Sequence, residues 1–217
     1  MIIAYGENKI LKERKSEAEK VLKSIPYRYC FITGSFLFKE KYKDIDVFVI
    51  TRSKKIAKLA NKKIKIQKMD FNDLYSLFYH ASSKCCLAKN ILPEKPLKVT
   101  ISDFWDVINE AVPSIFNEKN KFKKDIRSLV LYTEYFKKKK VLDSLELKER
   151  VDKFKHYKEV LRYIEIEAPR IVNNELSKGY IKRFFYTQTG FYKDLLKYEG
   201  HRFLYSTAHL IIGAQNG

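Results

Sequence analysis

Cysteine is scarce in this chain, with three residues among 217. Cys85 and Cys86 are adjacent, Cys30 lies in an apolar segment, and no further Cys or His stands near the pair at zinc-ligand spacing. An odd cysteine count without a secretory signal at the N-terminus predicts a reducing, cytoplasmic setting. The sequence therefore excludes a disulfide-framed secreted domain and a cysteine-based metal site.

Long hydrophobic runs are also absent, and acidic residues are outnumbered by basic ones. No apolar run approaches the roughly 20 residues that cross a bilayer, so we predict no membrane partner. The chain has 26 Asp and Glu against 44 Lys and Arg, which gives a net charge of +18. This excess favours a polyanionic partner, nucleic acid above all, although a solvated lysine-rich surface has the same composition. At 45% hydrophobic and 14% aromatic residues, the chain has enough apolar material for a folded core.

Two carboxylates open the second of two predicted strands. Residues 29–32 and 47–50 are short, continuous apolar segments rich in β-branched and aromatic side chains, which is typical of buried strands. Asp44 and Asp46 stand two residues apart at the start of the second strand, so they share one face. Carboxylates this close repel each other unless a cation lies between them. Hard oxygen ligands with room for water and phosphate suit Mg²⁺, and we predict that it binds here.

A predicted phosphate-binding turn lies between these strands. Gly34 lets the backbone approach a phosphate closely, and Ser35 can cap the helix predicted to begin there, whose N-terminus would attract anions. Lys39, Lys41 and Lys43 follow before the acidic pair. They belong either to a solvated loop or to the surface that holds a triphosphate, for which Lys43 is the candidate. A phosphate cradle beside a metal-binding carboxylate pair is what nucleotidyl transfer needs.

The order of strand, Gly-Ser, short helix and Asp-apolar-Asp resembles the nucleotidyltransferase superfamily typified by DNA polymerase β, in particular its minimal prokaryotic and archaeal members. The resemblance covers about residues 26–70. It implies that Ser35 binds the terminal phosphates of a nucleoside triphosphate while Asp44 and Asp46 hold Mg²⁺. The implied reaction transfers a nucleoside monophosphate to an acceptor and releases pyrophosphate. The plainer alternative is a tight turn beside a solvated acidic strand edge.

That family usually has a third carboxylate on a later strand, as a metal ligand or as the base for the attacking hydroxyl. Residues 63–69 alternate as a strand does but contain no acid, and Asp70 at their end is the nearest candidate for the third catalytic residue. Asp70 also suits the N-cap of a following helix, and Asp103 further on has the same two interpretations. Without a third acid, the domain would bind nucleotides without transferring them.

The elements along the chain predict an α+β fold in two domains. Residues 1–100 would form a nucleotidyltransferase core, a small mixed β-sheet with flanking helices, and residues 101–217 a mainly helical C-terminal domain. Pro26 ends the first helix. Predicted helices cover residues 7–24, 52–61, 74–89, 105–116, 122–140, 145–168, 171–176, 180–198 and 203–212.

Two basic segments in the helical region bear on the acceptor. Residues 137–140 are four lysines that either complement a helix dipole or contact phosphate. Residues 180–186 and 191–193 interleave aromatic with basic residues, as helix core or as a surface that stacks single-stranded nucleic acid. The charge favours RNA, such as tRNA, as acceptor, and protein remains a second choice. The alternative is a catalytically inactive module of this fold that binds RNA or regulates a partner, as in toxin–antitoxin pairs.

Overall fold

The computed structural model describes residues 2–7, 9–56, 61–117 and 122–176. The chain divides into two compact units. The first contains the residues up to Val99 together with Val141–Lys148, and the second contains Thr100–Lys140 and the residues from Glu149 onward. A later segment of the chain therefore returns to the first unit.

The first unit is built on a mixed five-stranded sheet with the order β1-β5-β2-β3-β4. Strands β3 and β4 pair in parallel, and the other neighbouring pairs are antiparallel. The described residues thus form an α+β fold with a mixed sheet, as predicted. The strands are β1 (Ile3–Tyr5), β2 (Tyr29–Thr33), β3 (Ile45–Ile50), β4 (Ile64–Met69) and β5 (Cys86–Ala88).

Both faces of this sheet are covered, which explains why β2 and β3 are apolar without alternation. One face carries Ile32, Val47 and Val49 and packs against apolar side chains of the helices that precede and follow β2. The other face carries Phe31 and Phe48 and packs against side chains that follow β4. The helices of this unit are α1 (Lys9–Glu13), α2 (Lys15–Ser24), α3 (Ser35–Phe38) and α4 (Leu77–Ser83).

Three predicted helices of the first unit differ from the structure. The helix expected over residues 7–24 is interrupted at Arg14, whose side chain donates to the Glu40 carbonyl at 2.7 Å. The helix expected over residues 52–61 is absent from 52–56, where Ser53 bonds locally to Thr51 and Lys55 in competition with helical bonds, and residues 57–60 lie outside the described part.

The third difference is at residues 74–89, where the structure has three short elements in place of one helix. They are a 3₁₀ turn at Asp73–Tyr75, then α4, then β5. Strand β5 exists because β1 and β2 pair with it on either side, a long-range cause that local periodicity does not report.

Helices make up the described part of the second unit. They are α5 (Ile101–Asn117), α6 (Phe122–Lys138) and α8 (Tyr157–Leu176), with α7 (Ser144–Lys153) beginning in the first unit and ending in the second. The helices expected at 105–116 and 122–140 are present, whereas 145–168 divides into α7 and α8. Predictions for residues 180–198, 203–212 and the basic aromatic segments at 180–186 and 191–193 lie outside the described residues. Within residues 2–176 as described, no helix has the length and apolar character to cross a membrane.

The lysine run at the end of α6 takes part in contacts inside the second unit. Lys138 Nζ lies 2.7 Å from a carboxylate oxygen of buried Glu134, and Lys137 Nζ lies 2.8 Å from Glu167. Burial alone would raise the pKa of Glu134, but hydrogen bonds from Lys138 and from Tyr163 hold that pKa below its usual value. These pairs favour the structural interpretation of the run over a phosphate contact.

Candidate functional site

The pairing of β2 with β3 brings the glycine turn to the acidic pair. Thr33, the last residue of β2, lies opposite Asp46 in the antiparallel register. Gly34 follows directly, and a Cβ placed on Gly34 would lie 3.5 Å from Asp46 Oδ2. The backbone of the predicted phosphate-binding turn and one predicted metal ligand are therefore neighbours at one end of the sheet.

The turn itself depends on glycine. Gly34 has φ 86° and ψ −153°, a backbone region that is essentially restricted to glycine. It occupies the N-cap position of α3, and Ser35 is the first helical residue rather than the cap that we expected. The positive φ causes this difference, because it places the glycine, not the serine, at the point where the chain turns into the helix. Ser35 remains half-buried and next to the turn.

Asp44 and Asp46 are half-buried, and a neighbouring strand supplies a hydrogen-bond donor to each. The Lys65 ammonium group donates to Asp44 Oδ2, and Gln67 Nε2 donates to Asp46 Oδ1 at 3.2 Å. The bond to Asp44, followed by the charges of Asp44 and Asp46, raises the pKa of Lys65, so the amine stays protonated. The chain thus supplies its own cation to the carboxylate pair.

Neither Lys65 nor Gln67 was predicted to belong to the site. They alternate along β4, so they share a face, and the parallel register places Lys65 opposite Asp46 and Gln67 opposite Phe48. The sequence shows that these residues alternate, but it does not show that β4 pairs in parallel with β3. Where the resemblance led us to expect an acid, the strand beside the pair presents a lysine and an amide.

The structure does not bring Asp70, the predicted third catalytic residue, to the acidic pair. Met69 pairs with Ile50 at the far end of β3, four residues along β4 from Lys65, and Asp70 follows as the fifth. At ~3.3 Å per residue, this puts Asp70 about 16 Å beyond the level of the acidic pair. Its carboxylate lies 2.7 Å from Lys68 Nζ, in an ion pair at that opposite end.

Asp103, the other candidate, belongs to a capping box at the start of α5. Its Oδ2 accepts from the Thr100 backbone N–H at 2.7 Å, and its own N–H donates to Thr100 Oγ1 at 3.3 Å. Across the described ranges, no three His, Cys, Asp or Glu side chains come together as a group that could hold a metal ion.

The returning segment Val141–Lys148 adds a second, unpredicted feature beside the turn. Thr33 Oγ1 lies 3.3 Å from Ser144 Oγ, at the first residue of α7, and is buried. Asp143 caps that helix by accepting from the N–H groups of Leu145 and Glu146, each at 2.8 Å. The first turn of α7 is therefore fixed next to the residue that precedes Gly34.

Lys43 directly precedes the acidic pair and is exposed, as are Lys39 and Lys41. Their exposure is compatible with either role that the sequence left open, the solvated loop or the triphosphate surface.

A separate cavity of about 300 Å³ lies in the second unit, and its lining, which includes Glu110 and Lys124, contains none of the predicted site residues.

The donor set suits Mg²⁺ that arrives with a nucleotide better than a free ion. Mg²⁺ in such sites takes one or two carboxylates, keeps several waters and fills its sphere with substrate phosphates. Asp44 and Asp46 would supply the carboxylates. Lys65 already donates to Asp44, so a metal ion bound there would have to displace its ammonium group.

Lys65→Met is expected to raise the affinity for the metal alone, because it removes the competing cation. The pair is partly exposed, so the increase should be about two- to fivefold. Mn²⁺ titration followed by electron paramagnetic resonance, without nucleotide, measures this. Lys68→Met is the matched control, since Lys68 pairs with Asp70 at the other end of the strand, and equal Mn²⁺ affinities in wild type and Lys65→Met would contradict the prediction.

No protein-family model, no curated protein and no solved structure matches this chain.

Proposed function

We propose that this protein is a Mg²⁺-dependent nucleotidyltransferase that transfers a nucleoside monophosphate from a nucleoside triphosphate to an acceptor, RNA or protein. The observation that carries the proposal is the closeness of Gly34 to Asp46, since Thr33 lies opposite Asp46 and a Cβ placed on Gly34 would lie 3.5 Å from Asp46 Oδ2. It combines a backbone that phosphate can approach with a carboxylate pair on one strand. Neither half alone would distinguish this function from a tight turn or an acidic edge.

The roles of the residues follow from their chemistry. Asp44 and Asp46 would hold Mg²⁺, which when bound offsets the charge of the triphosphate. Gly34 leaves space for phosphate oxygens, and Ser35 offers a hydroxyl donor beside them. An acceptor hydroxyl forms a bond to the α-phosphorus and loses its proton to solvent, while the bond to the bridging oxygen breaks and pyrophosphate leaves. The exposed ammonium group of Lys43 is available to the leaving phosphates.

The charge of the chain supports RNA as the acceptor. A net charge of +18 attracts any polyanion, and a site that binds triphosphate beside carboxylates gains from cations elsewhere on the surface. Protein stays the second acceptor class, because charge alone does not select between a folded RNA and an acidic protein.

One observation favours a second function, nucleotide binding without transfer. Lys65 and Gln67 face the carboxylate pair from β4, where a third acid would serve as base for the acceptor hydroxyl. Lys65 stays protonated beside Asp44, so it does not take that role. The protein would then be a nucleotide-responsive binding module of the same fold.

Labelling distinguishes the two functions. Each α-³²P nucleoside triphosphate is incubated with Mg²⁺, total cellular RNA and total protein, with the wild type and with Asp44→Ala/Asp46→Ala. Transfer predicts label in a macromolecular band with the wild type only. Absence of label from RNA, protein and chromatographed small molecules, with nucleotide binding intact, would overturn transfer in favour of binding alone.

A further inference from the structure

An aromatic ring stands exposed on the same side of the sheet as the carboxylate pair. Phe78, the second residue of α4, is 43% exposed, whereas Leu77 and Tyr79 on either side of it are buried. An exposed phenylalanine gains little from folding, since most of the stabilisation that it can give comes from its burial. Its position therefore invites a role outside the core.

The ring is the outer member of a row of three. Phe31 stacks on Phe48 with ring centroids 5.4 Å apart, and the Phe48 centroid lies 5.3 Å from that of Phe78. Phe31 is fully buried and Phe48 is 8% exposed, so the row runs from the core to the surface. Phe78 therefore packs on Phe48, which is itself held by its stacking contact with buried Phe31.

The row also places Phe78 on the face of the sheet that carries the acidic pair. Phe48 follows Asp46 by two residues in β3, so both side chains leave the same face, and their Cα atoms are about 7 Å apart. Gln67, opposite Phe48 in β4, is the residue that donates to Asp46. Phosphate-binding turn, carboxylates and exposed ring thus follow one another along a single face of the sheet.

We propose that Phe78 is the base-stacking residue of the site and receives the nucleobase of the triphosphate whose phosphates lie at Gly34 and the acidic pair. This inference rests on the proposed function, which assigns residues to the phosphates and to Mg²⁺, and it adds a residue that binds the nucleobase. Stacking tolerates every base because each has a π-face. The four nucleoside triphosphates should therefore all bind, purines more tightly than pyrimidines, because a larger ring system stacks over more area.

The test compares ATP with inorganic tripolyphosphate, which has the phosphates but no base. Calorimetry with Mg²⁺ on the full chain is expected to show that Phe78→Ala and Phe78→Leu lower ATP affinity about 5- to 100-fold and leave tripolyphosphate affinity unchanged. Phe78→Trp, which keeps a stacking surface, should bind ATP at least as tightly as the wild type. Phe78→Leu retains apolar packing on Phe48, and Ile91→Ala, at another exposed apolar side chain, is the matched control.

Each outcome has a defined consequence. If the wild type binds both ligands and the alanine and leucine variants bind ATP equally well, the assignment of Phe78 is overturned and the proposed function stands. If those variants lose affinity for a short single-stranded RNA but not for ATP, the ring belongs to the acceptor and the assignment is also overturned. Wild type that binds neither ATP nor tripolyphosphate would overturn the proposed function, and this inference with it.

Discussion

Asp44→Ala/Asp46→Ala is expected to lower the affinity for Mg²⁺–nucleoside triphosphate at least ~100-fold, because it removes both of the proposed carboxylate ligands of the metal ion. Without Mg²⁺, the same double variant should bind the triphosphate at least as tightly as the wild type. The reason is electrostatic, since the substitutions delete two negative charges and leave the Lys65 ammonium available to phosphate. Calorimetric titrations with Mg²⁺ and with a chelator measure both effects.

Triphosphate binding that is weakened with Mg²⁺ but not without it would distinguish a metal site from the general attraction of anions to a basic protein. The charge-matched control is Asp70→Ala/Asp73→Ala, which removes two carboxylates that follow β4, at the end of the β3–β4 pair opposite the acidic pair. It should leave Mg²⁺-dependent binding unchanged, with a cost to stability of about 1 kcal/mol because the Asp73 carboxylate accepts the Asp70 N–H. Equal loss of binding in both double variants would show that net charge, not the pair, carries the effect.

Gly34→Ala should cause both a stability defect and a binding defect. At φ 86° and ψ −153°, a non-glycine residue is strained by about 1–3 kcal/mol, which should appear as a lower free energy of unfolding in urea. The added Cβ would lie 3.5 Å from Asp46 Oδ2, an ordinary contact, and would occupy the space that phosphate oxygens need. We expect triphosphate affinity per folded molecule to fall about tenfold or more.

Gly6→Ala is the matched control for this substitution. Gly6 also has a positive φ, 83°, and its Cβ would lie 2.9 Å from the Lys84 carbonyl oxygen, so the variant should be destabilised at least as much. It lies in the same unit but outside the site, and its triphosphate affinity per folded molecule should equal that of the wild type. Gly34→Ala with wild-type stability and affinity would show that the turn neither needs glycine nor binds phosphate.

Local pattern was sufficient to predict the strand that carries Asp46 and the strands on either side of it. Residues 29–32 and 47–50 are continuous apolar segments and residues 63–69 alternate, and all three are strands in the structure. The period of two also puts Asp44 and Asp46 on one face. These features depend on neighbours in the sequence, and this is why they could be predicted.

Pairing between strands was beyond the reach of the sequence. The parallel register of β3 with β4 joins residues about 20 positions apart, and it decides that Lys65 and Gln67 face the acids while Asp70 lies at the other end. Val141–Lys148 returns to the first unit from still further along the chain. Nothing in the local sequence near Ser144 indicates its contact with Thr33. The closeness of the glycine turn to the acidic pair was therefore predictable, but the residues that surround them were not.

The measurement that tests the central claim most directly is the binding of each of the four nucleoside triphosphates to the wild-type chain, in excess Mg²⁺ and again in excess chelator. The site of Gly34, Asp44 and Asp46 predicts saturable one-to-one binding that depends on Mg²⁺ and persists at a salt concentration that screens surface charge. Binding that is equal in chelator, or that disappears with salt in both conditions, would contradict a Mg²⁺–nucleotide site and leave only attraction between a basic protein and an anion.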